Sequence, residues 1–154
     1  MQERESLKIL IADDNDSDRM ILTSIVKRQG HSVVEAKDGL EAVEAYREER
    51  PDLILLDALM PNMDGMEAAR HIKSLAGEEM VPIIFLTSLT DAPSLAKCLD
   101  SGGDDFLSKP YNKIILQAKI KAFGRMRRMH ATLQHQRDLI AINNEHLLHE
   151  QQVA

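Results

Sequence analysis

The feature that most constrains this chain is a short apolar run, Leu53-Ile54-Leu55-Leu56, that stops at a single carboxylate, Asp57. An unbroken run of four aliphatic side chains bounded by turn signals predicts a strand buried on both faces, which is the habit of parallel sheets. Parallel strands need crossover connections, and these are usually helices. The sequence after Asp57 fits: Ala58-Leu59-Met60-Pro61 leads into an Asn62-Met63-Asp64-Gly65 turn and then a helix-forming segment. In open α/β sheets, chemistry collects outside the carboxyl ends of the strands, which is where this run places Asp57. A lone Asp there reads as a turn cap; its meaning depends on the other strand ends.

Four further strands are predicted by the same reasoning. Residues 7–11 form the first, leading through Ala12 to Asp13-Asp14, two acids suited to capping the next helix. That helix shows Ile21, Leu22, Ile25 and Val26 on its inner face and stops at Gly30. Residues 32–36 form the second strand, and Asp38-Gly39 turns into a helix with Leu40, Ala42, Val43 and Tyr46 inward. After the Leu53–Asp57 strand, a helix runs from about Met66 to Leu75. Residues 81–86 form the fourth strand, with Pro82 at its start. The fourth helix spans roughly 92–101, with Pro93 in its first turn. Residues 105–108 form the fifth strand, and Asn112 caps a last helix. Strands alternating with helices predict an α/β fold with a parallel sheet covered on both faces.

Composition removes several function classes. No apolar run approaches the roughly 20 residues that span a bilayer, and the charged start Met1-Gln2-Glu3-Arg4-Glu5-Ser6 lacks a signal-peptide core, so no membrane partner and a cytoplasmic location are expected. The lone Cys98 excludes an internal disulfide. A net charge of −6 argues against direct nucleic-acid binding. No glycine-rich phosphate loop occurs.

When the strand ends are superposed, Asp13, Asp14, Asp57, Thr87 and Lys109 fall at one edge of the sheet. Three crowded carboxylates repel one another unless a cation intervenes. Hard oxygen ligands beside a phosphate-bearing substrate select Mg²⁺ over zinc. Lys109 offers a compact charge and Thr87 a hydroxyl to phosphoryl oxygens, with Asp57 as the nucleophile of an aspartyl phosphate.

On Asp13-Asp14, Asp57 with Met60-Pro61-Asn62-Met63-Asp64-Gly65, Thr87-Ser88 and Asp104-Asp105-Phe106-Leu107-Ser108-Lys109-Pro110, the chain resembles a bacterial response-regulator receiver domain over residues 7 to about 128. The resemblance implies a flavodoxin-like doubly wound five-stranded parallel sheet, order 2-1-3-4-5, with five helices; this order is a standard example of such sheets. It implies Mg²⁺ held by Asp13, Asp14, Asp57 and the backbone carbonyl of Leu59, and a cis Lys109-Pro110 bond. It implies that Asp57 takes phosphate from a sensor histidine kinase or phosphotransfer protein, and that Thr87 and Phe106 move together as a switch. The face of the fourth helix, fifth strand and fifth helix would then change. Leu59 cannot orient an attacking water, so slow autodephosphorylation is expected.

Beyond residue 128 the helical pattern continues. Met126, Met129, Leu133, Gln136, Ile140, Asn143 and Leu147 alternate by threes and fours, a heptad seam that predicts a parallel dimeric coiled coil; a helix folded back on the domain gives a similar pattern. Gly124 is a candidate hinge. The division expected is a tail over 1–6, a receiver over 7–128 and a helical extension over 129–154, leading to no effector or to a diguanylate cyclase or serine phosphatase domain. His130, His135, His146 and His149 lack ligand partners, and the basic cluster around Lys119, Lys121, Arg125, Arg127 and Arg128 reads as a solvated face. Two other functions are weighed. A haloacid-dehalogenase-type phosphohydrolase would want its nucleophile in the Asp13–Ser17 stretch, whose spacing does not match, and an interaction scaffold would have no need of the pocket.

Overall fold

The computed structural model describes residues 6–89 and 91–145 in full and carries the backbone of the last helix to Val153. The elements are β1 (Lys8–Ala12), α1 (Asp16–Arg28), β2 (Ser32–Ala36), α2 (Gly39–Glu49), β3 (Leu53–Asp57), α3 (Gly65–Ala76), β4 (Ile83–Thr87), α4 (Ala92–Asp100), β5 (Asp105–Ser108) and α5 (Lys113–Val153). The five strands form one parallel sheet in the order β2-β1-β3-β4-β5. This is the flavodoxin-like doubly wound arrangement.

Every residue of β3 and β4 is buried. Because side chains alternate across a strand, Ile54 and Leu56 enter one core with Ala42, Tyr46, Ala69, Ile72 and Cys98 of α2, α3 and α4. Leu53 and Leu55 enter the other, with Leu22 and Val26 of α1 and Leu116 and Ile120 of α5. Two separate hydrophobic layers therefore clamp the central strand whose last residue is Asp57.

Four helices are started by a side-chain oxygen that accepts the N–H three residues on: Asn15 from Asp18, Asp38 from Glu41, Asp64 from Glu67 and Asp91 from Ser94. Asn112 does the same for Ile115 at the head of α5. The α1 cap is thus Asn15, not the Asp13-Asp14 pair, whose carboxylates turn elsewhere.

Other expectations change. The fourth strand begins at Ile83, after the proline: Pro82 has no N–H for the ladder, and the carbonyl of Val81 accepts from Lys73 Nζ at 2.8 Å. Ile21 and Leu40, expected to face inward, are 53% and 52% exposed. Ile21 lies one residue before the buried Leu22 and Leu40 two before the buried Ala42, and the inner stripe of each helix is narrower than the apolar pattern.

Gly124 has a packing role. α5 runs through it without interruption, and a Cβ there would stand 3.1 Å from a methyl of Leu7, so the glycine lets Leu7, just before β1, pack against the helix. Arg127 then pairs with Asp52 at 2.9 Å and Gln134 donates to Glu78 at 3.0 Å. Lys119 pairs closely with Asp105. Part of the basic cluster is therefore tied to the domain rather than simply solvated. From 135 to 145 every residue is exposed, so this stretch is not folded back on the domain. A 41-residue helix is roughly 60 Å long. Met126, Met129, Leu133 and Ile140 stand exposed along it, and so do Leu139 and Ile142, which broaden the apolar surface beyond the predicted seam. The side chains of Leu147, His146 and His149 lie outside the described residues. Among the described residues no helix is long and apolar enough to cross a membrane.

Candidate functional site

The turn after β3 builds the site. Ala58 donates its N–H to Leu86 and accepts from Gly65, which draws the chain back across the strand end. A Cβ on Gly65 would lie 2.1 Å from the Asp57 carbonyl oxygen, so no other residue fits there without displacing the strand end. Asn62 takes a left-handed conformation, φ 68°, and its amide donates to Asp38 at 2.7 Å, fixing the loop beside α2.

Asp13, Asp14 and Asp57 converge, with one carboxylate oxygen from each lying within 4.8 Å of the others. Asp13 is fully buried and Asp57 nearly so, while Asp14 is exposed. Asp13 is held on all sides: Oδ1 accepts the Asn15 N–H at 2.9 Å, Oδ2 accepts the Tyr111 hydroxyl at 3.4 Å, and its carbonyl accepts from Arg19 at 2.8 Å. Asp57 Oδ1 accepts the Leu59 N–H at 3.2 Å. The Leu59 side chain is half exposed at the rim.

Lys109 sits among the acids. Its Nζ is 3.3 Å from Asp57, 3.5 Å from Asp13 and 3.5 Å from Asp18. The Lys109-Pro110 bond is cis. Burial, with Asp13 beside it, pushes the Asp57 carboxyl up to about 7, although Lys109 pulls the other way. The Tyr111 hydroxyl is also pushed up, first by burial and then by the same acids. Thr87 is buried at the end of β4, its hydroxyl oxygen accepting the Leu89 N–H at 2.9 Å. Phe106, beside Phe85 in the β4–β5 register, is half-buried against the first core.

The donor set fits a hard divalent cation: three carboxylates and no nitrogen or sulfur ligand in the cluster, with charge crowded enough that one buried acid resists ionising near neutrality. Asp13, Asp14, Asp57, Thr87 and Lys109 are thus at one end of the sheet, as the strand-end reading expects. That reading missed Asp18, Arg19 and Tyr111. Asp18 and Arg19 follow the acid pair by one helical turn, and Tyr111 follows Lys109 by two residues; spacing was the available signal.

Comparison with known proteins agrees with this geometry. Residues 9–121 match the model of the family described as the response regulator receiver domain. The DNA-binding response regulator MtrA of Mycobacterium tuberculosis is 38% identical over 121 residues, 79% of this chain and 51% of that protein. The chain spans about half the length of the curated relatives it matches. Among solved structures, the co-crystal of the Saccharomyces cerevisiae histidine phosphotransfer protein Ypd1 with the receiver domain of Ssk1 holds a chain 32% identical, TM-score 0.73, covering 79% of this chain and 91% of that one. The receiver domain of sensor histidine kinase PA1611 from Pseudomonas aeruginosa, described with a magnesium ion in its active-site cleft, is 30% identical with TM-score 0.72, covering 78% and 98%.

Proposed function

Because the chain belongs to the response regulator receiver family, we propose that Asp57 is its phosphoacceptor and that residues 7–128 act as a phosphorylation-operated switch on the helical extension, 129–154, with 1–6 as a tail. The observation that carries this is the Lys109 ammonium 3.3 Å from Asp57, at the edge of the three-carboxylate cluster. An Asp57 oxygen bonds to phosphorus as the nitrogen–phosphorus bond of a phosphohistidine breaks, the electron pair remaining on the imidazole. Lys109 neutralises the incoming oxygens, and the Thr87 hydroxyl turns from Leu89 to donate to one of them, with Phe106 following into the space released. Asp13, Asp14, Asp57 and the Leu59 carbonyl would hold Mg²⁺, which when bound supplies positive charge to offset acids and phosphoryl oxygens together.

The phosphoryl source is a sensor histidine kinase or phosphotransfer protein. Support comes from the family match and from the likeness to a receiver crystallised with a phosphotransfer protein. The family match and the position of Asp57 on the third strand leave the dehalogenase-type alternative without support. The retained pocket speaks against a vestigial scaffold. The names of relatives speak of DNA binding and transcription rather than of cyclase or phosphatase output; this chain spans half of their length, and with its net charge of −6 it is proposed to make no nucleic-acid contact itself. A cytoplasmic location follows from the same reading.

Output is proposed to run through the α4–β5–α5 face and the seam Met126, Met129, Leu133, Gln136, Ile140, Asn143 and Leu147, pairing two copies in parallel. Light scattering with Mg²⁺, before and after beryllofluoride, tests this for wild type and Asp57→Asn. A monomer-to-dimer change confined to wild type indicates switching by assembly, and a constant dimer indicates rearrangement within it. A persistent monomer sinks the pairing.

A further inference from the structure

Lys109 is the one cation whose ammonium touches the acid cluster among the described residues, and it is shared by three carboxylates. Two of them are fixed by other partners. Asp13 is fully buried and accepts from Asn15, Tyr111 and, through its carbonyl, Arg19. Asp57 is buried and accepts from Leu59. Asp18 differs. Its carboxylate is 35% exposed at the pocket mouth, and Lys109 at 3.5 Å is its only polar side-chain contact among the described residues. Its N–H donates to Asn15, so its backbone place is set by the helix cap whatever its side chain does.

The charge balance gives this contact a consequence. Asp13, Asp14, Asp57 and Asp18 set four carboxylates around Lys109, while the Arg19 guanidinium beside Asp13 is engaged by Asp16 and Glu35, so this pocket carries one acid more than the metal-ligand set requires. A phosphoryl group on Asp57 replaces one negative charge with up to two and offers oxygens that need Lys109. Asp18 repels those oxygens and holds the ammonium they need. Toward a divalent cation its effect has the opposite sign, since an extra nearby anion favours the cation.

We propose that Asp18 is a positioning residue for the phosphoryl chemistry, sharing the Lys109 ammonium with Asp57 in the resting pocket, at 3.5 Å against 3.3 Å, so that an arriving phosphoryl group must compete with it for that cation. This rests on Asp57 as phosphoacceptor and Lys109 as its counter-cation. Asp18 thereby biases the pocket toward its cation-loaded, unphosphorylated state.

The opposite signs supply the test. Beryllofluoride serves as the phosphoryl mimic, its bound form counted by fluorine NMR at saturating Mg²⁺; Mg²⁺ affinity is measured separately by calorimetry. For Asp18→Asn the expected result is beryllofluoride binding tightened about three- to tenfold and Mg²⁺ binding weakened severalfold, the scale of one charge acting across a partly solvated gap. Asp18→Glu keeps the charge and should stay near wild type in both. A merely structural role would weaken both affinities together, and that outcome, or an Asn variant whose beryllofluoride affinity is unchanged, overturns the inference while leaving the phosphoacceptor reading intact. If wild type binds Mg²⁺ but no beryllofluoride, both fail. Thermal unfolding in chelator shows that each variant is folded.

Discussion

Replacing Asp57 with asparagine should stabilise the cation-free protein, an unusual result for a buried residue. The carboxyl is nearly buried beside Asp13 and is pushed from 3.8 to about 7, with burial the larger cause. Each tenfold change in a protonation equilibrium is about 1.4 kcal/mol, so holding this group ionised costs the folded state up to about 4 kcal/mol. The folded pKa is raised, so between pH 3.8 and about 7 the folded state keeps a proton that the unfolded chain has released. Stability therefore falls as pH rises through that window and levels off above it. Asparagine keeps the shape and the Leu59 hydrogen bond without the charge, and Lys109 keeps Asp13 and Asp18 as partners. In chelator at pH 8, Asp57→Asn should be more stable by about 2–4 kcal/mol, a rise of roughly 5–10 °C in Tm. At pH 5 the gain should shrink to roughly a third, and millimolar Mg²⁺ should narrow it by favouring wild type. Urea unfolding at the two pH values reads this directly. An asparagine variant that is no more stable than wild type at pH 8, or a gain independent of pH, refutes the electrostatic account.

Other consequences follow from separate contacts. Gly65→Ala places a methyl 2.1 Å from the Asp57 carbonyl; the strand end must shift, with a loss of about 3 kcal/mol or more in urea unfolding and weakened Mg²⁺ binding by calorimetry. Asp52 accepts the Lys8 N–H at 2.8 Å and pairs with Arg127; Asp52→Ala should cost about 1–3 kcal/mol, while the double-mutant coupling with Arg127→Ala should be about 0.5–1 kcal/mol for so accessible a pair. Leu59→Asn adds an amide at the pocket rim and should shorten the phosphoryl half-life; a wild-type half-life shorter than the variant's contradicts the expectation. Leu133→Asp with Ile140→Asp changes two exposed side chains and should leave stability within about 0.5 kcal/mol while abolishing any dimer seen by light scattering.

The central strand was the most legible part of this molecule in the sequence, because it is fixed by burial on both faces. Leu53–Asp57 reads as a central strand because four aliphatics in succession, bounded by turn signals, suit a doubly covered sheet, whereas the partly buried edge strands β2 and β5 were bounded by the polar turns around them. The strand-end residues followed from topology. Boundaries that depend on competing local hydrogen bonds were less legible: Asp13, Asp14 and Asn15 can all cap a helix, and only the demand of the pocket for the two acids assigns the cap to Asn15. Ile21 and Leu40 mislead because apolar spacing gives the direction of a helix face but not its width. Asp18 reads as an ordinary acid complementing the positive end of a helix, and its approach to a lysine 91 positions away exists only in three dimensions. Gly124 reads as a weak point of α5 until Leu7 is seen against it.

Phosphorylation at Asp57 can be read out by trapping the adduct. The protein is treated with a small-molecule phosphodonor and Mg²⁺, reduced with borohydride to convert an aspartyl phosphate to homoserine, and mapped by peptide mass spectrometry. Homoserine is expected at position 57 alone, dependent on Mg²⁺ and absent in Asp57→Asn. Modification at Asp13, Asp14 or Asp18 with Asp57 untouched, or an adduct that survives in Asp57→Asn at the wild-type level, would contradict it.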